Sequence, residues 1–390
     1  MTSVDVLPSL PPALKGLEVV RAGDPKGNGM VLELTAASGK RVWAIGVPQP
    51  YSTSTGPTWV YVIDADGLSL IDAGGDSSKE PVQSGLALLG KRLDEVQRIV
   101  ITHGHNDHDG GLGELLAASG AEAWAHELYA HLISEGSWRA HAGVNPLLRQ
   151  LMPWSEEREG HRPPGLGEEA PHWWKHHLDY LEMRRHLKVA RPLKNHDTWA
   201  GLTFLHTPGH SPDELSITMD GVVFTGDHVL PEITPHPTVE MDYPKDMPRE
   251  LRREYPPQEQ YGLQVYLKSL NTVARLDPSV LVLPAHRLYN RGKFNLLTVK
   301  RAADIAVHHV RRLRRITRKL AEQEMTLEEL TRSTFPTSKL SGGNFMAGVT
   351  EVVSHVEVLL DAGDVSVTPE GKFRWLGTER FQQRVASLAH

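Results

Sequence analysis

Seven positions, His103 to Asp109, hold three histidines and two aspartates directly behind the run Ile99 to Thr102. A strand ending in so many coordinating groups limits what the chain can become. One histidine beside a turn is ordinarily solvated or hydrogen-bonded, but the spacing H-x-H-x-D-H gathers four candidate ligands at one strand end. His103 and His105 leave the strand on the same side, Asp107 and His108 follow on the next turn, and Gly104 lets the backbone approach whatever the ligands hold. Neutral imidazoles and carboxylates suit zinc, and also iron or manganese.

The chain has no cysteine. That excludes disulfides, thiolate zinc sites, iron–sulfur clusters and cysteine nucleophiles, so any metal site is built from His, Asp and Glu. A net charge of -6 over 390 residues argues against a dedicated nucleic-acid binder and leaves room for one large domain and a smaller one. The start lacks a basic segment followed by an apolar one, and no long apolar run follows, so a soluble, cytoplasmic protein with no membrane association is expected.

Short apolar segments such as TWVYVID, LSLID, RIVITH, LTFLHT, VVFTGD and VLVLPAH read as buried strands, several ending in Gly, Asp or His. Helix-like stretches (SGLALLGKRLDEVQR, QVYLKSLNTVARLD) alternate with them, which makes an α/β layered core. Residues 125–200, rich in His and Trp, read as a helical insertion with an irregular Pro/Gly-rich middle. From residue 299 the pattern changes to three helices and a hairpin around Pro369-Glu370-Gly371, the order of a winged-helix-like domain over 299–390 following a catalytic domain over 1–298.

Further strand ends supply His210 in LHTPGHSPDE, Asp227 in FTGDHVL and His286 in LVLPAHRLY; Asp72 in SLIDAGG is placed to orient a ligand. Together these five motifs resemble the metallo-β-lactamase fold superfamily. The resemblance implies a four-layer αββα sandwich with two metals at one edge. Position by position, it implies one metal on His103, His105 and His210, a second on Asp107, His108 and His286, and Asp227 bridging them. His228, beside Asp227, is expected to support the centre. The chemistry implied is hydrolysis by a hydroxide shared between two divalent ions, most naturally zinc, with Asp107 handling its proton.

FTGDHVLPEITPHP, YLKSL, VLVLPAH and the helix from His308 resemble the branch of the superfamily that carries a C-terminal winged-helix-like domain. The likeness covers most of residues 42–125 and 200–377. That branch includes β-lactamase-like protein 2, an endoribonuclease, and thioesterases that release polyketides. Fold and metal chemistry transfer across such a branch and substrate does not; the leading expectation is a small or medium-sized acyl compound (thioester, ester or lactone), with single-stranded RNA cleavage as the alternative.

Several features depart from the branch pattern. Arg287 follows His286 where glycine is common, and is a candidate for holding a substrate carboxylate or phosphate, or a surface salt bridge. Asp213 and Glu214 add negative charge near the site if their loop points inward. In the insertion, PHWWKHHLDYLEMRRHLKV carries an apolar stripe that packs on the core or forms a lid, with Trp173 and Trp174 as candidate substrate contacts. The basic helix His308 to Lys319 turns Val310, Leu313, Ile316 and Leu320 inward and mostly solvates its arginines. Nucleic acid or a second copy of the chain are the other partners it could meet.

Overall fold

The computed structural model describes residues 10–49, 55–132, 145–151, 172–340 and 344–388, without the side chains of 172–178, 344, 387 and 388. Eight strands form the first sheet in sequence order: β1 Leu14–Arg21, β2 Val31–Ala36, β3 Arg41–Val47, β4 Thr58–Asp64, β5 Leu68–Ile71, β6 Val96–Val100, β7 Glu122–His126 and β8 Arg191–Leu193. Pairing is antiparallel from β1 to β5 and parallel from β5 to β8. The second sheet has the order β13-β12-β11-β10-β9, from β9 Thr198–Trp199, β10 Leu202–His206, β11 Leu215–Met219, β12 Val222–Phe224 and β13 Leu281–Leu283.

Side-chain alternation along these strands sets the layers. On β4, Trp59, Tyr61 and Ile63 join the cluster that also holds Phe204, Ile217 and Phe224 of the second sheet. Val60 and Val62, on the opposite face, pack with Val82, Leu86, Leu112 and Leu115 from the helices Lys79–Leu88 and Leu112–Ser119. In the second sheet Phe224, Leu281 and Leu283 face inward, whereas Val223 and Val282 meet Tyr266 and Leu270 of the helix Leu263–Ala274. A period of two thus buries both faces of each sheet and produces helix, sheet, sheet and helix in succession.

The C-terminal elements are the helices Lys300–Glu322, Leu327–Thr334 and Asn344–Asp361, a hairpin pairing Val365–Val367 with Phe373–Trp375, and a last helix Phe381–Leu388 that sequence reading missed. Thr326 caps the second helix, with Glu329 N donating to its hydroxyl and its own N–H donating to Glu329. Leu313, Ile316 and Leu320 are buried as expected, but Val310 is only partly so, and His309 occupies the neighbouring buried position. These side chains share one apolar cluster with Tyr266 and Leu270, so packing runs unbroken across residue 298.

Two expectations shift. Residues 84–98 are not one helix, because the helix Lys79–Leu88 stops before Gly90 and β6 begins at Val96. The insertion is narrower than 125–200, since β7 runs to His126 and β8 pairs with it at Leu193.

Strand direction places the functional residues. β5 and β6 run parallel, and β10, β12 and β13 share a direction through antiparallel β11. Asp72, His103 to His108, His210, Asp227 and His286 all follow the C-terminal ends of these strands. Leu215 N donates to Thr102 O at 2.8 Å, tying the two sheets together there.

Candidate metal centre

His103 and His105 lie in the irregular chain between β6 and the short helix Asn106–Asp109, and His210 follows β10. His105 Nδ1 is 2.9 Å from His103 Nε2 and 3.1 Å from His210 Nε2, so three ring nitrogens converge. The far nitrogens of two of these rings are engaged. His210 Nδ1 donates to the carbonyl of His236 at 2.8 Å, and His103 Nδ1 lies 3.2 Å from Thr102 Oγ1 and 3.5 Å from Glu214 Oε1. Such bonds fix tautomer and ring orientation.

A second trio stands beside the first. His286 Nε2 is 3.1 Å from Asp107 Oδ2, and His108 Nε2 is 3.8 Å from Asp107 Oδ1. Outside it, His108 Nδ1 meets Asp72 Oδ2 at 2.9 Å and His286 Nδ1 donates to the Pro57 carbonyl at 2.9 Å. Asp72 adopts a left-handed backbone (φ 64°) at the end of β5 and also accepts from Thr102 N at 2.8 Å. A non-glycine residue kept there is paid for by those bonds.

Asp227 lies between the trios. Its Oδ1 is 3.4 Å from His286 Nε2 and 3.6 Å from His108 Nε2, while its Oδ2 is 3.6 Å from His210 Nε2. One carboxylate therefore offers a different oxygen to each side.

The electrostatics fit a cationic occupant. Burial opposes charge on Asp107 and Asp227, but the neighbouring imidazoles outweigh it and hold both well below the usual carboxylate range. Burial likewise opposes a proton on His108, yet Asp107, Asp72 and Asp227 raise its affinity well above the ordinary value. His103, where burial dominates and the other histidines add to it, is held neutral. The carboxylates thus create a potential negative enough to hold positive charge in a buried site.

His108 Nε2, His286 Nε2 and Asp227 Oδ1 are all buried without a hydrogen-bond partner. Orphaned groups of this kind are costly unless something coordinates them. Their convergence, with the nitrogen and oxygen donor set, fits divalent metal ions. A further grouping, His309, Glu351 and His355, is already engaged: Arg312 pairs with Glu351, and His355 Nδ1 donates to the Glu351 carbonyl at 2.6 Å.

Other expected residues sit differently. His228 does not bond to the ligand set; it packs edge-on against Tyr266, and burial lowers its pKa to about 3. Its neighbour Asp227 takes the inward position, which turns His228 toward the helix Leu263–Ala274. Arg287 donates to Glu232 at 3.0 Å. The side chains of Trp173 and Trp174 lie outside the described residues.

Asp213 and Glu214 are buried and accept from the backbone beside the candidate ligands. Asp213 accepts from Gly104 N at 3.0 Å and Glu214 from Asp227 N at 3.0 Å; burial raises the pKa of both. A side chain at Gly104 would meet Arg184 Nη2 at 2.8 Å, so the space Gly104 frees is filled by a guanidinium.

Sequence reasoning missed that guanidinium. Among the described side chains of the helix His172–His186, Tyr180 and Arg184 are buried over Asp109, which is itself buried and needs donors, and Leu181 and Met183 are partly buried; Trp173 and Leu178 of the expected apolar stripe have side chains outside the described residues. Gln49, which donates to Asp107 Oδ2 at 2.9 Å, was also missed, since a lone Gln in a loop carries no signal.

The Metallo-beta-lactamase superfamily profile matches residues 53–286. The Bacillus subtilis protein named "Probable metallo-hydrolase YqjP" is 26% identical over 254 residues, covering 63% of this chain and 71% of that protein. A metallo-beta-lactamase family protein of Thermus thermophilus superposes with a TM-score of 0.57 at 22% identity, over 86% of this chain and 98% of its own. A beta-lactamase domain protein from Burkholderia ambifaria gives 0.58 at 21% identity, over 86% and 91%. The chain belongs to the metallo-beta-lactamase superfamily and is a metallo-hydrolase with the divalent-metal chemistry of that fold.

Proposed function

We propose that this metallo-hydrolase cleaves a small acyl compound, a thioester, ester or lactone, at a binuclear centre. His103, His105 and His210 would hold one ion and Asp107, His108 and His286 a second, with Asp227 offering a carboxylate oxygen to each side. The observation that supports the binuclear centre is the split carboxylate of Asp227, with Oδ1 toward His108 and His286 and Oδ2 toward His210. Zinc suits the all-nitrogen-and-oxygen ligand set.

Two divalent ions held by these residues would acidify a water as nucleophile and polarise the oxygen that gains charge. The chain's own residues do the rest. Asp107 has 35% of its side chain exposed, against 13% for Asp227, so it is the carboxylate that reaches an incoming substrate. Asp107 Oδ2 takes the proton of the attacking water and returns it to the leaving group, while Gln49 holds that oxygen in place. Asp72, His236 and Pro57 keep the rings aimed inward.

The test is thiol release from a panel of acyl-thioesters by the metal-loaded protein, with His103→Ala and Asp107→Ala as matched controls. Release lost in both variants supports the reading. Release equal in the variants and the parent counts against it.

A further inference from the structure

The basic helix has a place in the fold that the hydrolase chemistry leaves unused. A cavity of about 550 Å³ opens between its first turns and the loop that follows Asp227. Arg301, His308, Arg311, Arg312 and Lys339 line it, with Val307 on its wall. Val307 is 47% exposed, a large apolar side chain left open to an occupant.

The loop forming the other wall is tied to the metal centre at both ends. It begins after Asp227 and reaches His236, whose carbonyl accepts from His210. Arg301 fixes its middle by donating to Leu230 O and Ile233 O, both at 2.9 Å. Glu232, on the same wall, accepts from Arg287, the residue after His286.

The cavity carries positive charge that its surroundings do not cancel. Arg312 is paired with Glu351 and Arg301 with backbone carbonyls, but Arg311 and Lys339 form no ion pair among the described residues. Partial burial and then the positive field of Arg312, Arg301, Arg315 and Arg311 push His308 down to about 4. His308 Nε2 accepts from Arg312 Nη2 at 2.8 Å, so the ring adds no positive charge of its own, and the charge open to an anion is that of Arg311 and Lys339.

We propose that this cavity binds a phosphate group carried by the substrate, with Arg311 and Lys339 as its principal contacts. The proposal rests on the acyl-hydrolase reading for the identity of that substrate: a phosphorylated small molecule, most simply a thioester whose thiol carries the phosphate. Arginine and lysine are the side chains suited to a phosphate dianion. The two carboxylates in the lining, Glu232 and Asp304, repel an anion that extends along the cleft, which favours one compact anion over an extended polyanion.

The experiment compares the metal-loaded full chain with an Arg311→Glu/Lys339→Glu variant. Both positions are exposed, so the fold is retained, and circular dichroism checks this. Two thioesters of one acyl group are used, one with coenzyme A and one with N-acetylcysteamine, which has no phosphate. In the variant, KM for the phosphorylated thioester is expected to rise by about tenfold or more with kcat within about twofold, and the other substrate to be unaffected. Equal changes on both substrates, or none on either, overturn the proposal.

Binding of adenosine 3′,5′-bisphosphate, followed by calorimetry, separates the two layers of the argument. If neither thioester is cleaved but the bisphosphate binds the parent and not the variant, the pocket stands and the thioester reading falls. No difference in bisphosphate binding overturns the pocket. A single-stranded oligoribonucleotide that binds more tightly than the bisphosphate, with steep salt dependence lost in the variant, overturns the small-molecule assignment in favour of RNA.

Discussion

Arg184 Nη1 donates to the carbonyl oxygen of Gly104 at 2.9 Å, between the candidate ligands His103 and His105. The same guanidinium pairs with Asp109 at 2.6 Å, and Asp109 also accepts from Tyr129 at 2.7 Å and Tyr180 at 2.8 Å. The insertion helix therefore grips the ligand loop through a buried ionic network. Replacing Arg184 by Met leaves Asp109 buried without its cation, a loss of about 3–5 kcal/mol. Urea unfolding measures it, and an unchanged midpoint would show that the network carries no weight. Combining Arg184→Met with Asp109→Asn is expected to recover part of the loss, because the stranded charge is gone.

Asp72 holds His108 in one orientation through its carboxylate. Asp72→Asn keeps the shape but weakens that charged bond, so metal affinity is expected to fall by about 10–100-fold. Competition with a chromophoric chelator reads this directly. Unaltered affinity would mean that the ring is fixed by packing alone.

Glu357, on the helix Asn344–Asp361, is buried beside Glu240 and Asp361, and burial first and then these carboxylates raise its pKa to about 8. The folded state therefore binds this proton more tightly than the unfolded chain does. The resulting stabilisation is full below the ordinary glutamate range and is lost as pH rises toward 8. Denaturation midpoints measured between about pH 5 and pH 8 are expected to fall in the parent and to flatten in Glu357→Gln. A parallel decline in both proteins would assign the slope to other groups.

Metal removal gives the fourth expectation. Orphaned His108 Nε2, His286 Nε2 and Asp227 Oδ1 gain partners only when ions are bound, so binding favours the native state. Chelation is expected to lower the thermal midpoint, and zinc to restore it. His286→Ala should respond less to both treatments. Equal responses in parent and variant would place the stabilising ions elsewhere.

The candidate ligands stood out because each follows a short apolar strand, and a strand end is where an outward polar group is least costly; their convergence in the structure is what the sequence alone did not give. The alternation of apolar strands with helices made an α/β layered core legible, but the order of the four layers came only from the resemblance, since β4 and β12 are apolar on both faces. What the sequence hid were side chains whose neighbours lie far along the chain. Arg184 sits among exposed Glu182, Arg185 and His186 and reads as solvated until Asp109 is seen beneath it. Glu214 stood out as an odd charge, but its direction depends on a backbone amide of Asp227 thirteen residues away. The strands β1 to β3 went unread, although β2 alternates buried Leu32, Leu34 and Ala36 with half-buried Glu33 and Thr35; Gly16 and Gly46 interrupt the pattern in β1 and β3.

In the proposed centre Asp227 joins two three-residue sites into one binuclear unit. The most direct measurement is the number of divalent ions bound per chain after metal stripping and reconstitution with zinc, read by elemental analysis. The account predicts two ions in the parent and a loss of occupancy in Asp227→Ala. A parent that retains only one ion or none, or a variant that keeps both with unchanged affinity, would contradict it.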